Sequence, residues 1–206
     1  MSPATPVWQT LLASPPLWRL DEALEAPRRD SLLDQLDREI PWETPTLTLY
    51  GRRHPIPRAQ CWMGDAEARY RYSGRRFSPA PWHPAVLTLR DHVASLVSRQ
   101  LPGVTFNSVL LNRYRDGRQR MGWHADDEPE LGPDPVIAAV SLGAERPLRF
   151  RWRDGAHAPF NVALPHGSLL MMGAGLQSRL QHALLPRAIP GLRISLTFRH
   201  VMLNES

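Results

Sequence analysis

The chain has 206 residues, 42% of them hydrophobic and 22% charged, which suits one globular domain with an N-terminal elaboration and excludes a disordered or fibrous chain. No apolar run approaches the ~20 residues that span a bilayer, and no basic and apolar leader with a small-residue cleavage site opens the sequence, so a soluble cytoplasmic protein is expected. Net charge is +5 and Cys61 is the only cysteine, which excludes an internal disulfide or a cysteine-based metal knuckle and leaves His and carboxylate to hold any metal.

Residues 1 to about 45 alternate Pro-rich breaks (Pro15-Pro16, Pro27, Pro41, Pro45) with short helical patterns. The clearest is Ser31 to Ile40, with Leu32, Leu33, Leu36 and Ile40 at helical spacing. A helical N-terminal extension is expected there. Residues 46 to about 100 follow as a second region. It holds Leu47-Thr48-Leu49-Tyr50, a turn rich in Arg and Pro, Tyr70-Arg71-Tyr72 before Ser73-Gly74, and an amphipathic helix over 84–100 carrying Val86, Leu89, Val93, Leu96 and Val97 on one face.

After Pro102-Gly103 the texture becomes β-like to residue 206. Strands are expected at Val104–Tyr114, Val136–Leu142, Leu148–Trp152, Phe160–Leu164, Ser168–Met172, Gln181–Leu185 and Leu192–Val201. That number of short strands between Gly, Pro and Asp turns predicts a sandwich or jelly roll, and the preceding helix makes the domain α+β with a β core. All 25 basic residues are Arg. Composition bias accounts for the missing Lys, while the positive balance suits a polyanionic partner, because Arg pairs bidentately with phosphate and stacks on bases.

Three features carry chemistry. Trp123-His124-Ala125-Asp126 offers two ligands at i and i+2, which share a face if the segment is a strand. His182 is the third candidate, and two His with one carboxylate make the facial triad of non-haem Fe(II) oxygenases. Arg193-Ile194-Ser195-Leu196-Thr197-Phe198-Arg199 sets two Arg and a Thr on one strand face and apolar residues on the other. Two Arg buried side by side require a dianion such as 2-oxoglutarate, whereas an edge strand would simply expose them to solvent.

These pieces resemble the AlkB family. The resemblance runs through Asn112-Arg113-Tyr114-Arg115-Asp116-Gly117, Gly122 to Glu128, Ile137 to Ala144, Leu164 to Met172 and Arg193 to Arg199, all in the family's order. It is strongest to the eukaryotic-type members that repair alkylated DNA, including Tyr50 to Arg58 and Tyr70 to Gly74. It implies a double-stranded β-helix core, with Fe(II) held by His124, Asp126 and His182. It further implies 2-oxoglutarate on Asn112, Tyr114, Arg193, Ser195, Thr197 and Arg199, with O2 as co-substrate. Arg193 would pair the distal carboxylate, and Arg199 would sit near Asp126. Similar proteins often carry Asn where this chain has Ser195, whose shorter side chain would lose or water-bridge one hydrogen bond to the co-substrate.

On the substrate side the resemblance implies that Tyr70 and Tyr72, flanking Arg71, line a lesion pocket in which a ring stacks on the flipped base opposite His124. Asp127 and Glu128 would face the base edge and favour the cationic, alkylated form. Tyr50, followed by Gly51, would act as a wedge in duplex DNA, with Arg52, Arg53 and Arg58 on phosphates. The implied activity is oxidative dealkylation of 1-methyladenine, 3-methylcytosine or etheno adducts, releasing formaldehyde, succinate and CO2 for the methyl lesions, by a monomer acting on duplex or single-stranded DNA. An RNA-base or protein demethylase of the same family, and a non-catalytic nucleic-acid-binding module, are the alternative readings.

Overall fold

The computed structural model describes residues 7–49, 52–68, 70–72 and 75–202, with the side chains of 47, 49, 70–72 and 75–77 outside that description. In chain order the elements are β1 (Gln9–Leu12), β2 (Leu17–Leu20), α1 (Ala26–Glu39), β3 (Thr46–Leu49), β4 (Arg52–Pro55), β5 (Ala59–Gly64), β6 (Tyr70–Tyr72), β7 (Arg75–Phe77) and α2 (Pro84–Ser98). The second half adds β8 (Ser108–Tyr114), β9 (Met121–His124), β10 (Ile137–Gly143), β11 (Leu148–Trp152), β12 (Phe160–Val162), β13 (Ser168–Met172), α3 (Leu176–Arg179), β14 (Leu180–Leu184) and β15 (Arg193–Arg199).

Seven strands form one sheet in the order β1-β2-β13-β10-β15-β8-β5, and four form a second in the order β12-β11-β14-β9. Every pairing in both sheets is antiparallel. The larger sheet is covered on both faces. Leu32 and Leu36 of α1, and Val86, Leu89, Val93, Leu96 and Val97 of α2, pack on one face against Val109, Leu111, Ile194, Leu196 and Phe198. Phe150, Trp152, Val162 and Leu180 of the smaller sheet meet Ile137, Leu170 and Met172 on the other. This double burial explains why β13 reads as five consecutive buried residues, while β15 alternates. The result is the jelly roll that the strand pattern led one to expect, with helices backing its larger sheet.

The helices end where local chemistry ends them. α1 carries a proline in its first turn and stops at Ile40, because the residue before Pro41 is pushed out of the α region. α2 begins at Pro84 with the His83 side chain accepting from the Ala85 N–H at 3.3 Å.

Residues 9–20 correct part of the expected helical N-terminal extension. They form the β1–β2 hairpin, and β2 pairs along β13 from Leu17↔Met172 to Leu20↔Leu169. The strand is set by the free edge of β13, a tertiary cause that local periodicity does not carry. β3–β4 and β6–β7 are separate hairpins between α1 and α2. At the end of β10, Gly143 has φ +82°, and a Cβ there would lie 2.2 Å from the Leu192 carbonyl oxygen, so only glycine fits this turn.

Candidate active site

The two histidines are brought together by strand pairing. In the smaller sheet His124, the last residue of β9, is the direct partner of His182 on β14, and their ring centroids lie 4.3 Å apart. Asp126 lies beyond the end of β9, so the i, i+2 strand geometry expected for His124 and Asp126 does not extend to the carboxylate. Its backbone N–H leaves the ladder and donates to Gln177 Oε1 at 3.0 Å, which turns the side chain inward. The ligand atoms of His124, Asp126 and His182 all lie within 4.8 Å of one another.

The electrostatics suit a cation at that point. Burial pushes the Asp126 carboxyl up, but the charge of the neighbouring Arg199 outweighs it and holds the group below the usual carboxylate range. Arg199 also donates directly to Asp126 Oδ1. Burial pushes His182 down to about 3, so its imidazole is neutral and one ring nitrogen keeps its lone pair. Nδ1 of His124 lies 2.8 Å from the Gly122 carbonyl, which fixes the ring by a donated hydrogen bond and leaves Nε2 as the ligand atom. Asp126 Oδ2 is buried without a hydrogen-bond partner among the described residues. Two imidazoles and one ionised carboxylate, with one of its oxygens buried and orphaned, fit a divalent metal.

The same cleft continues along the larger sheet. It is lined by Asn112 and Tyr114 from β8, Ser141 from β10, and Arg193, Ser195, Thr197 and Arg199 from β15. Register explains the grouping, since Arg193 is opposite Tyr114, Ser195 opposite Asn112, and Ser141 opposite Ser195. Arg193 is 2% exposed and donates to Ser141 Oγ at 2.9 Å and to the Ala144 carbonyl at 3.3 Å. It has no ion pair among the described residues, and burial pushes it down to about 10. A buried guanidinium without a carboxylate partner is costly, and one end of a dicarboxylate fits it. Burial raises the Tyr114 hydroxyl against the charges of Arg58, Arg193 and Arg146.

The substrate-side residues are less tightly gathered. Asp127 is exposed and paired with Arg153 at 2.5 Å. Glu128 is half-buried, and burial raises its carboxyl against the opposing charge of Arg199. Arg52 and Arg53 are exposed on β4, where Arg53 donates to Thr46 Oγ1 at 3.0 Å. Arg58, expected on phosphates, instead donates its Nε–H to Asn112 Oδ1 at 2.8 Å. Tyr50 and Gly51 lie outside the described residues, and Tyr70, Arg71 and Tyr72 are described only as the backbone of β6.

Sequence reasoning missed Ser141, Gln177 and Arg146. Ser141 sits in an apolar strand, Gln177 in a one-turn helix, and no local pattern marks either. Arg146 is 1% exposed and clamps the carbonyls of Asp116, Gln119 and Leu185 while lying 5.5 Å over the Tyr114 ring. It ties the loops that lead into β9 and out of β14.

Comparison with known proteins points the same way. Residues 18–199 match the family model described as the 2OG-Fe(II) oxygenase superfamily. The chain is 38% identical over 187 residues to the DNA oxidative demethylase ALKBH2 of Homo sapiens, covering 85% of this chain and 70% of that protein. It is 36% identical over 183 residues to the alpha-ketoglutarate-dependent dioxygenase alkB homolog 3 of Bos taurus, covering 84% of this chain and 61% of that one. The solved structure of OsALKBH1 superposes with a TM-score of 0.67 at 17% identity, covering 94% of this chain and all of that one.

Proposed function

Since the chain belongs to the 2OG-Fe(II) oxygenase superfamily, and within it to the AlkB family, we propose that it removes alkyl groups oxidatively from nucleobases in DNA. It is a dioxygenase dependent on Fe(II), 2-oxoglutarate and O2. The observation that carries the reading is one cleft with a His124, Asp126 and His182 cluster at one point and an acid-less buried Arg193 further along it.

Fe(II), 2-oxoglutarate and O2, when bound, supply the oxidising power that hydroxylates the alkyl carbon as 2-oxoglutarate is decarboxylated to succinate and CO2. The protein's own work is positional. His124, Asp126 and His182 hold the metal, and Arg199 keeps Asp126 ionised. Arg193, Tyr114 and Asn112, with Ser195 and Thr197, orient the dicarboxylate. Leu148, Leu164, Met172 and Leu184 in the cleft wall limit water. A hydroxymethyl group on a base nitrogen then loses formaldehyde as its hydroxyl proton passes to solvent, so no acid-base side chain is required for that step.

Residues 46–100 form the nucleotide-recognition region in this proposal, between an N-terminal extension over 1–45 and a catalytic core over 101–206. Tyr70 and Tyr72 stack on the extruded base, Asp127 and Glu128 face its edge, and Tyr50, Gly51, Arg52, Arg53 and Arg71 engage the strand. Methylation of adenine N1 or cytosine N3 makes a cation, so carboxylates at the rim favour the lesion over the normal base. Duplex and single-stranded DNA, and RNA, remain the polymers to compare, and the working form is a cytoplasmic monomer. No described helix is long and apolar enough to cross a membrane.

The test is repair of oligonucleotides carrying 1-methyladenine, 3-methylcytosine or an etheno adduct, single-stranded and duplex, read by mass. His124→Ala is expected to abolish formaldehyde release on methylated substrates while DNA binding persists. Unchanged release would sink the assignment.

A further inference from the structure

Arg58, expected at phosphates, is brought by the fold to the side chain of a cleft residue, Asn112. Arg58 immediately precedes β5, whose register runs Ala59↔Arg113 and Gln60↔Asn112 against β8. One step further along that register lies Tyr114, so Arg58 belongs to the sheet face that Asn112 and Tyr114 present to the cleft. Its Nε–H donates to Asn112 Oδ1 at 2.8 Å, and among the described residues it has no ion pair. Asn112 is 3% exposed and lines the cleft, and its Nδ2 has no acceptor among the described residues.

An amide side chain has one acceptor and one donor end, and a guanidinium can only donate. Arg58 therefore locks the oxygen of Asn112 outward and leaves the NH2 group facing the cleft, where an anionic ligand needs a donor. We propose that Arg58 is a co-substrate-positioning residue, fixing the Asn112 amide as a donor to the dicarboxylate, and is not a phosphate contact for nucleic acid. The proposal rests on the 2-oxoglutarate reading of the cleft. Its charge is also felt at Tyr114, beside Arg193 and Arg146.

The experiment measures 2-oxoglutarate binding by titration calorimetry with Mn(II) in place of iron, so turnover plays no part. Arg58→Gln and Arg58→Lys are each expected to weaken binding about tenfold, the size of one lost charge-assisted hydrogen bond. Arg58→Lys keeps the charge without the planar Nε–H, so it separates orientation from charge and decides the matter if Arg58→Gln does not fold. Arg58→Gln with Asn112→Ala should bind no more weakly than Asn112→Ala alone, because both act through one amide. DNA binding in both Arg58 variants should keep the parent's salt dependence. Parent-like 2-oxoglutarate affinity in Arg58→Lys overturns the proposal, as does a loss of about one phosphate's worth of salt slope in Arg58→Gln. Failure of the unaltered protein to bind 2-oxoglutarate would instead overturn the functional reading beneath it.

Discussion

Arg193→Met should make the protein without co-substrate more stable while nearly abolishing its response to 2-oxoglutarate. The guanidinium is 2% exposed and burial pushes it well below the usual arginine range, down to about 10, so at neutral pH it is held charged at a cost of about 3 kcal/mol, at 1.36 kcal/mol per pH unit. The sign follows from proton counting. Above pH 10, until the unfolded chain's arginine also titrates, the unfolded chain binds more protons at this group, so stability rises with pH there, and below pH 10 the full cost is present. Methionine removes that cost and also the bonds to Ser141 and Ala144, about 1 kcal/mol each. The net gain of about 1 kcal/mol raises Tm by roughly 3 °C for a chain of this size. Losing the partner of a buried carboxylate weakens binding by about 3 to 5 kcal/mol, or roughly 10² to 4 × 10³ in Kd. In differential scanning fluorimetry with Mn(II), 2-oxoglutarate at 100 times the parent Kd stabilises the parent by about 2.7 kcal/mol, whereas the variant should shift by less than about 1 °C. A variant that keeps the parent's ligand-induced shift would refute the argument that Arg193 is the counter-ion.

Gln177→Ala leaves the buried Asp126 N–H without its acceptor, so metal affinity should fall about 10-fold or more, as for other residues that orient a ligand, and competition with a fluorescent chelator would show it. Gly143→Ala forces a Cβ into the Leu192 carbonyl at a left-handed φ, which should lower stability by at least about 2 kcal/mol in urea unfolding. The metal-free protein should lose stability in acid. His182 is pushed down to about 3 in the folded state against about 6.5 when unfolded, so its contribution is complete above pH 6.5 and is lost as pH falls towards 3. Thermal scans from pH 7 to 4 should steepen less in His182→Phe than in the parent.

The β half of the chain was legible because its strands are long and patterned by burial. Leu148–Trp152 and Ser168–Met172 were read with their observed ends, and Arg193 to Arg199 alternates cleft and core residues as its sequence does. The hairpin over 9–20 was not legible, because only pairing with β13 makes Leu17–Leu20 a strand. Gln177 and Arg146 escaped for a related reason. Each acts on residues far away in sequence, at Asp126 and at Gln119 and Leu185, and nothing local distinguishes them from ordinary polar side chains. The resemblance alone implies a phosphate role for Arg58, whereas its side chain reaches Asn112 across the β5–β8 pairing.

The division of the site between two sheets gives these residues a common mechanical constraint. His124 and His182 belong to the smaller sheet, and Asn112, Tyr114, Arg193 and Arg199 to the larger one. Only contacts between sheets therefore set the distance from the metal ligands to the carboxylate-binding end. Phe150 packs 5.6 Å from the His182 ring while belonging to the apolar layer that meets Ile137, Leu170 and Met172. The Arg199 to Asp126 contact bridges the same gap from the polar side. Interiors packed to crystal-like density relax only partly when a side chain is cut back. Phe150→Ala should thus cost about 3 to 5 kcal/mol and also move His182 relative to Arg193. The resulting loss of coupling between metal and 2-oxoglutarate binding would appear as weaker 2-oxoglutarate affinity in a variant whose polar residues are all intact. Arg193→Met, by contrast, removes the counter-ion and leaves the layer whole, so only Phe150→Ala should disturb the metal and the co-substrate together.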